Sequence, residues 1–165
     1  MLQRLRITQP LRTKLLHMTV LIVSEPPSVS DDLIAYYRAV GDRIASRSPL
    51  EPFDVVFERA RRNAGGDASQ PLVLLPGKGK REFKRVQNAA LAAVKAFGRE
   101  ALPQGISSPH STLLYGRGEV DEPVAPITWR VDELCLILSR VGLSEHEVVG
   151  RWPLTREPDL FDSLL

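Results

Sequence analysis

Apolar and polar positions alternate along this chain with two distinct periods, and the two interleave. Leu15 to Val23 is almost continuously apolar and reads as a buried strand, ended by Pro26-Pro27. Ser28 and Ser30 then stand as candidate N-caps of a helix running to about Ser46. Along it, Leu33, Ile34, Tyr37, Val40 and Ile44 keep helical spacing and predict one core-facing stripe. Phe53 to Arg59 alternates apolar and charged residues, as a half-buried strand does. Asn63-Ala64-Gly65-Gly66-Asp67 predicts a hairpin loop into a short strand from Leu72 to Leu75. Pro76-Gly77 leads into a second helix from about Arg81 to Phe97, with Phe83, Val86, Ala90, Val94 and Phe97 on one side.

After a loop from Pro103 to Pro109, His110 to Tyr115 returns to strand character. A Gly- and Pro-containing excursion extends to Pro126. Ile127 to Val131 and Leu134 to Arg140 read as strands or as one interrupted strand, and Glu147 to Leu154 as the last. Helices separated by strands on hairpin-length links predict an α+β fold with largely antiparallel pairing.

Composition alters this picture little. The 165 residues suffice for one substantial domain or two small lobes, and 43% hydrophobic with 25% charged residues is ordinary for a globular chain. No apolar run approaches the roughly 20 residues that span a bilayer, so no membrane segment is expected. The single cysteine, Cys135, lies in an apolar stretch and reads as a small hydrophobe in a reducing, cytoplasmic setting. Net charge is only +2 but is unevenly placed. Arg4, Arg6, Arg12 and Lys14 precede the first acid, Glu25, and Lys78, Lys80, Arg81, Lys84 and Arg85 cluster before and within the second helix. Pro10 and the motif that begins at His17 argue against a removable leader. Such basic clusters are commonly solvated faces; they also suit a partner rich in phosphate.

The chemistry concentrates in a repeat. Two of the three histidines are followed by Thr two residues later, in His17-Met18-Thr19 and His110-Ser111-Thr112. With six threonines in the chain, that coincidence has a chance probability of roughly 0.004, so the pair is a signal where a single motif would be none. Residues i and i+2 of a strand share a face, so each His should project beside its Thr. Imidazole titrates near neutrality and can remove or supply a proton; a Thr hydroxyl can donate to a non-bridging phosphate oxygen. Two such strands around one phosphate would supply the base and the acid of an in-line phosphodiester cleavage without a metal. No acidic cluster with ligand spacing lies near either motif, and no cofactor is implied. His146, in Ser144-Glu145-His146-Glu147, reads as an exposed turn residue. Tyr115, Trp129 and Trp152 could stack on a base, although half-buried strand aromatics usually just pack.

The segments Leu16-His17-Met18-Thr19-Val20 and Ser108-Pro109-His110-Ser111-Thr112-Leu113-Leu114-Tyr115-Gly116 resemble the signature strands of the two-histidine phosphoesterases, in their 2′-5′ RNA ligase-like branch. Ile127-Thr128-Trp129-Arg130-Val131 and Val148-Val149-Gly150-Arg151-Trp152-Pro153-Leu154 are similar to that branch's closing strands. The resemblance implies one bilobal domain over residues 1–156 with a tail at 157–165. Two antiparallel sheets, with helices outside, would lie around a central cleft in a pseudo-two-fold arrangement, each lobe contributing one motif strand. It implies hydrolysis of 2′,3′-cyclic phosphate RNA ends or cyclic nucleotide phosphates, with 2′-5′ RNA ligation as a related activity. His17 would serve as acid and His110 as base, Thr19 and Thr112 would hold the phosphate, and Tyr115, Arg117 and Trp129 would be further substrate contacts. No obligate protein partner is implied.

Two departures from the family pattern stand out. Only 16 residues precede His17, where a strand and a helix are usual, so the first lobe is shortened or the true start lies upstream; Leu2 to Ile7 could supply the strand. Tyr115 stands where an Arg is common, with Arg117 two residues on. The competing reading is a non-catalytic RNA- or nucleotide-binding module that keeps the same pocket.

Overall fold

A computed structural model describes residues 16–23, 28–47, 50–64, 69–98, 108–140 and 145–155. The expectations for Leu2 to Ile7, the Pro103 to Ser107 loop and the tail fall outside the described residues. The elements follow the order α1 (Asp31–Arg47), β1 (Phe53–Arg62), β2 (Gln70–Lys78), α2 (Lys80–Ala96), β3 (Ser111–Gly116), β4 (Val120–Val131), β5 (Glu133–Arg140) and β6 (Glu145–Pro153). The fold is α+β, with a four-stranded sheet ordered β3-β2-β1-β4 and a two-stranded sheet β5-β6. Contacts divide the chain into two compact units. Among the described residues no helix is long and apolar enough to cross a membrane.

The first unit comprises Met1–Val20, Asp54–Lys80 and Ile106–Trp129, and so holds the four-stranded sheet. Alternation builds its core. Val55 and Phe57 of β1 are buried while Asp54 and Glu58 are exposed. The pairing with β2 slips between Phe57 and Arg59, which moves the buried parity to Ala60. Leu72 and Leu74 of β2 and Ser111 and Leu113 of β3 complete the buried face. Both β1–β2 and β2–β3 are antiparallel.

Two segments differ from their sequence expectations. The Pro-containing stretch before Ile127 belongs to a single twelve-residue strand, β4. β4 is an edge strand, where proline is tolerated because only one side of the strand is in the ladder; Pro123 and Pro126, three apart, turn their nitrogens to opposite sides, so at most one of them faces the partner strand. The reversal occurs earlier, at Gly118, whose φ of 80° is a left-handed conformation suited to glycine. Leu16 to Val23 is half-buried and contains only one bridge residue, Met18, in place of the continuous strand predicted.

The second unit comprises Leu21–Phe53, Arg81–Gly105 and Arg130–Leu165. Ser30 caps α1, its Oγ accepting from the Leu33 amide at 3.3 Å, and Asp31 and Asp32 oppose the positive end of the helix dipole. Tyr37, Val40 and Ile44 are buried, as their spacing predicts. The helix packs on the β5–β6 ribbon, where the Trp152 indole lies so close to Gly41 that no Cβ would fit there. Its Nε1–H donates to Asp42 Oδ1 at 2.7 Å, so Trp152 packs within this unit. On α2, Phe83, Val86, Ala90 and Val94 are buried, and Phe97 beyond its end meets Tyr36 edge-on at 5.6 Å. His146 stands within β6, half-buried and opposite Ser139, because the ribbon extends two residues further than the apolar pattern alone indicates.

Candidate active site

The two motif segments meet inside the first unit. Met18 forms an antiparallel bridge with Ser111, the first residue of β3, on the side of β3 away from β2. The bridge brings the two motif segments together along one edge of β3. The bridge fixes the neighbours. In an antiparallel pair, His17 comes opposite Thr112 and Thr19 opposite His110, related by the local two-fold axis through Met18 and Ser111.

Three cross-strand rows run from this bridge into the sheet. The central one is Met18, Ser111, Leu74 and Ala60. Ser111, Leu74 and Ala60 are 2%, 6% and 0% exposed, so this row faces the core. Side chains alternate along a strand, and the flanking rows therefore face the opposite way. One carries His17, Thr112, Val73 and Arg61. The other carries Thr19, His110 at the position before β3, Leu75 and Arg59. His17, Thr19, His110 and Thr112 are all half-buried, consistent with a face that is neither core nor open surface. Diagonal same-face positions on adjacent strands lie roughly 7–8 Å apart. Two imidazoles projecting from such positions can flank a group the size of a phosphate, with the two hydroxyls between them.

A local contact orients one ring. His110 Nδ1 is 3.0 Å from the Ser108 carbonyl oxygen. A carbonyl only accepts, so in this contact Nδ1 donates and Nε2 is left outside it. Pro109 between them is buried and anchors this turn at the mouth of β3.

The other predicted contacts are placed apart. Tyr115 is three residues beyond Thr112, past a register shift in β3, and is 61% exposed. Arg117 is exposed in the turn that follows. Trp129 lies on β4, three strands across the sheet from β3 and so roughly 14 Å away in strand spacings. There it packs against Phe57, with ring centroids 6.2 Å apart. Lys78 is five residues along β2 from Val73, roughly 17 Å of strand. Among the described residues no group of three or more His, Cys, Asp and Glu gathers as a metal site.

Sequence reasoning missed the basic rim of this face. Arg59 forms an ion pair with Asp121 of β4, which holds the Asp121 carboxyl below its ordinary value, chiefly through their hydrogen bond. Arg62, of the opposite parity and so outside this face, donates from Nε to the Gly118 carbonyl at 2.7 Å and braces the β3–β4 turn. Alternation in β1 could have placed Arg59 and Arg61 together; only the register aligns them with the motifs.

No family model and no curated protein matches the chain. Solved structures do. It is similar to a phosphoesterase, with a TM-score of 0.63 and 20% identity over 90% of this chain and 82% of that one. TT0787 of Thermus thermophilus gives 0.62 and 19% over 87% and 80%. LigT of E. coli, solved in complex with 3′-AMP, gives 0.61 and 21% over 90% and 82%. The chain thus shares the LigT-like α+β fold.

Proposed function

We propose that this chain is a two-histidine phosphoesterase of the LigT kind, opening 2′,3′-cyclic phosphates on nucleotides or RNA ends without a metal. The observation that carries the reading is the Met18–Ser111 bridge, whose local two-fold relates the two His-Thr pairs on one face. The LigT-like fold, and the complex of LigT with a ribonucleotide phosphate, are in keeping with it.

The reaction follows from two rings on either side of one phosphorus. Nε2 of neutral His110 takes a proton from water as the water oxygen bonds to phosphorus. Protonated His17 gives its proton to the 3′ oxygen as the bond from phosphorus to that oxygen breaks, leaving a 2′-phosphate. Thr19 and Thr112 donate to the non-bridging oxygens, where negative charge accumulates. Run in the same direction with a ribose 5′-hydroxyl in place of water, the same groups would join a 2′-5′ linkage; run in reverse they would cleave one back to the cyclic phosphate.

The test is hydrolysis of nucleoside 2′,3′-cyclic phosphates in excess EDTA, with the 2′-phosphate product identified. Turnover should persist, and His17→Ala and His110→Ala should each lower it at least about 100-fold. Turnover abolished by the chelator would remove the metal-free reading. Tight, salt-dependent binding of phosphate ends with no turnover would instead make the chain a binding module.

A further inference from the structure

The row that contains Thr112 does not stop at the motif. Val73 of β2 pairs with Thr112 on one side and with Arg61 of β1 on the other. Arg61 therefore shares the face of Thr112, two strand spacings or roughly 10 Å away. The pairing is regular across these positions, since Arg59, Ala60 and Arg61 meet Leu75, Leu74 and Val73 in unbroken order. Burial of the intervening row fixes the direction. Ala60 and Leu74 point to the core, so Arg61 cannot share their face. The Arg61 side chain is exposed; Asp121 pairs directly with Arg59 and feels Arg61 only as a nearby charge.

The floor between Thr112 and Arg61 is Val73, half-buried and apolar. It offers no hydrogen-bonding group from its side chain, and a ribose could lie across it. A phosphate held at the motifs would thus have, two strands away on the same face, a guanidinium on a long flexible stem able to reach back to the next phosphate along a nucleotide chain. Guanidinium presents a planar fork of donors suited to that group.

We infer that Arg61 is a specificity-determining residue that binds the phosphate on the 5′ side of the terminal nucleotide. The preferred substrate is then a cyclic phosphate end bearing that second phosphate, as RNA does, and not a bare nucleoside cyclic phosphate. This rests on the function proposed above and extends it to substrate choice.

A minimal pair of substrates tests it: one nucleoside 2′,3′-cyclic phosphate with a free 5′-hydroxyl, and the same compound carrying a 5′-phosphate. The parent protein should favour the 5′-phosphorylated compound in kcat/KM. In Arg61→Gln that preference should fall by about tenfold, mainly through KM, and Arg61→Lys should restore part of it. The advantage should also weaken with added salt more steeply in the parent than in Arg61→Gln. A fall in preference of less than threefold would overturn the assignment.

Binding of the corresponding 2′-phosphate products, with and without the 5′-phosphate, separates the two readings. If neither cyclic compound is turned over but Arg61→Gln still erases the difference in product affinity, the hydrolase reading fails and the subsite stands. If both are turned over and the preference ignores Arg61, the subsite alone fails.

Discussion

Placing a carboxylate at adjacent positions of β3 gives a sharp test of which face each motif residue occupies. Ser111 is 2% exposed and sits between Met18 and Leu74 in the core row, whereas Thr112 is half-buried on the opposite face. An aspartate at 111 must lose most of its hydration among apolar neighbours. Even after relaxation, such a burial costs about 3 kcal/mol or more. At 112 the substitution loses β-propensity and some packing, about 1 kcal/mol. With an m-value of about 1–3 kcal/mol/M in urea, Ser111→Asp should lower the unfolding midpoint by at least about 1 M, and Thr112→Asp by about a third as much at the same m.

The pH dependence adds a second signature. Burial raises the folded-state pKa of an aspartate at 111 above its unfolded value, so the folded state holds its proton longer. The deficit of Ser111→Asp should therefore shrink as pH falls from 7 towards 4, and grow as pH rises through that range. Urea melts at pH 4 and pH 7, followed by tryptophan fluorescence, read both effects. Equal destabilisation by the two variants, or a larger loss at 112, would refute the assignment of faces and with it the alignment of the four motif side chains.

Other outcomes follow from particular contacts. Gly41→Ala should destabilise by about 1–3 kcal/mol in denaturant melts, because its methyl group would enter the space of the Trp152 indole. The Asp121 carboxyl is held low by Arg59, so that pair's stabilisation is present above the ordinary carboxylate range and is lost as pH falls through the lowered folded value. Asp121→Asn should flatten that acid limb of the stability profile. Ser30→Ala should cost α1 about 1 kcal/mol in the same melts, through loss of the hydroxyl that accepts from Leu33.

The His-x-Thr pair is legible in the sequence because strand alternation is a local rule, and it puts each His beside its own Thr without knowledge of the fold. The helices are legible for the same reason: Ser30 marks a start, and Tyr37, Val40 and Ile44 mark a stripe. What joins the two motifs is not local. The bridge from Met18 to Ser111 joins positions just over half the chain apart, and the alignment of Arg61 with Thr112 depends on two successive registers. Pairing partners also decide how Pro123 and Pro126 are accommodated, since only an edge position makes a proline-bearing strand acceptable. Trp129 and Trp152 show the converse. Both look like base-stacking candidates in the sequence, and both are occupied in packing, one against Phe57 and the other against α1.

The central claim is that the two histidines act on one phosphate as a unit. A double-mutant cycle on nucleoside 2′,3′-cyclic phosphate hydrolysis, run in EDTA and followed by ³¹P resonance of the 2′-phosphate, tests it most directly. Groups that serve the same transition state are strongly non-additive, so His17→Ala with His110→Ala together should cost little more than either alone. A double variant whose loss equals the product of the two single losses would contradict a shared site.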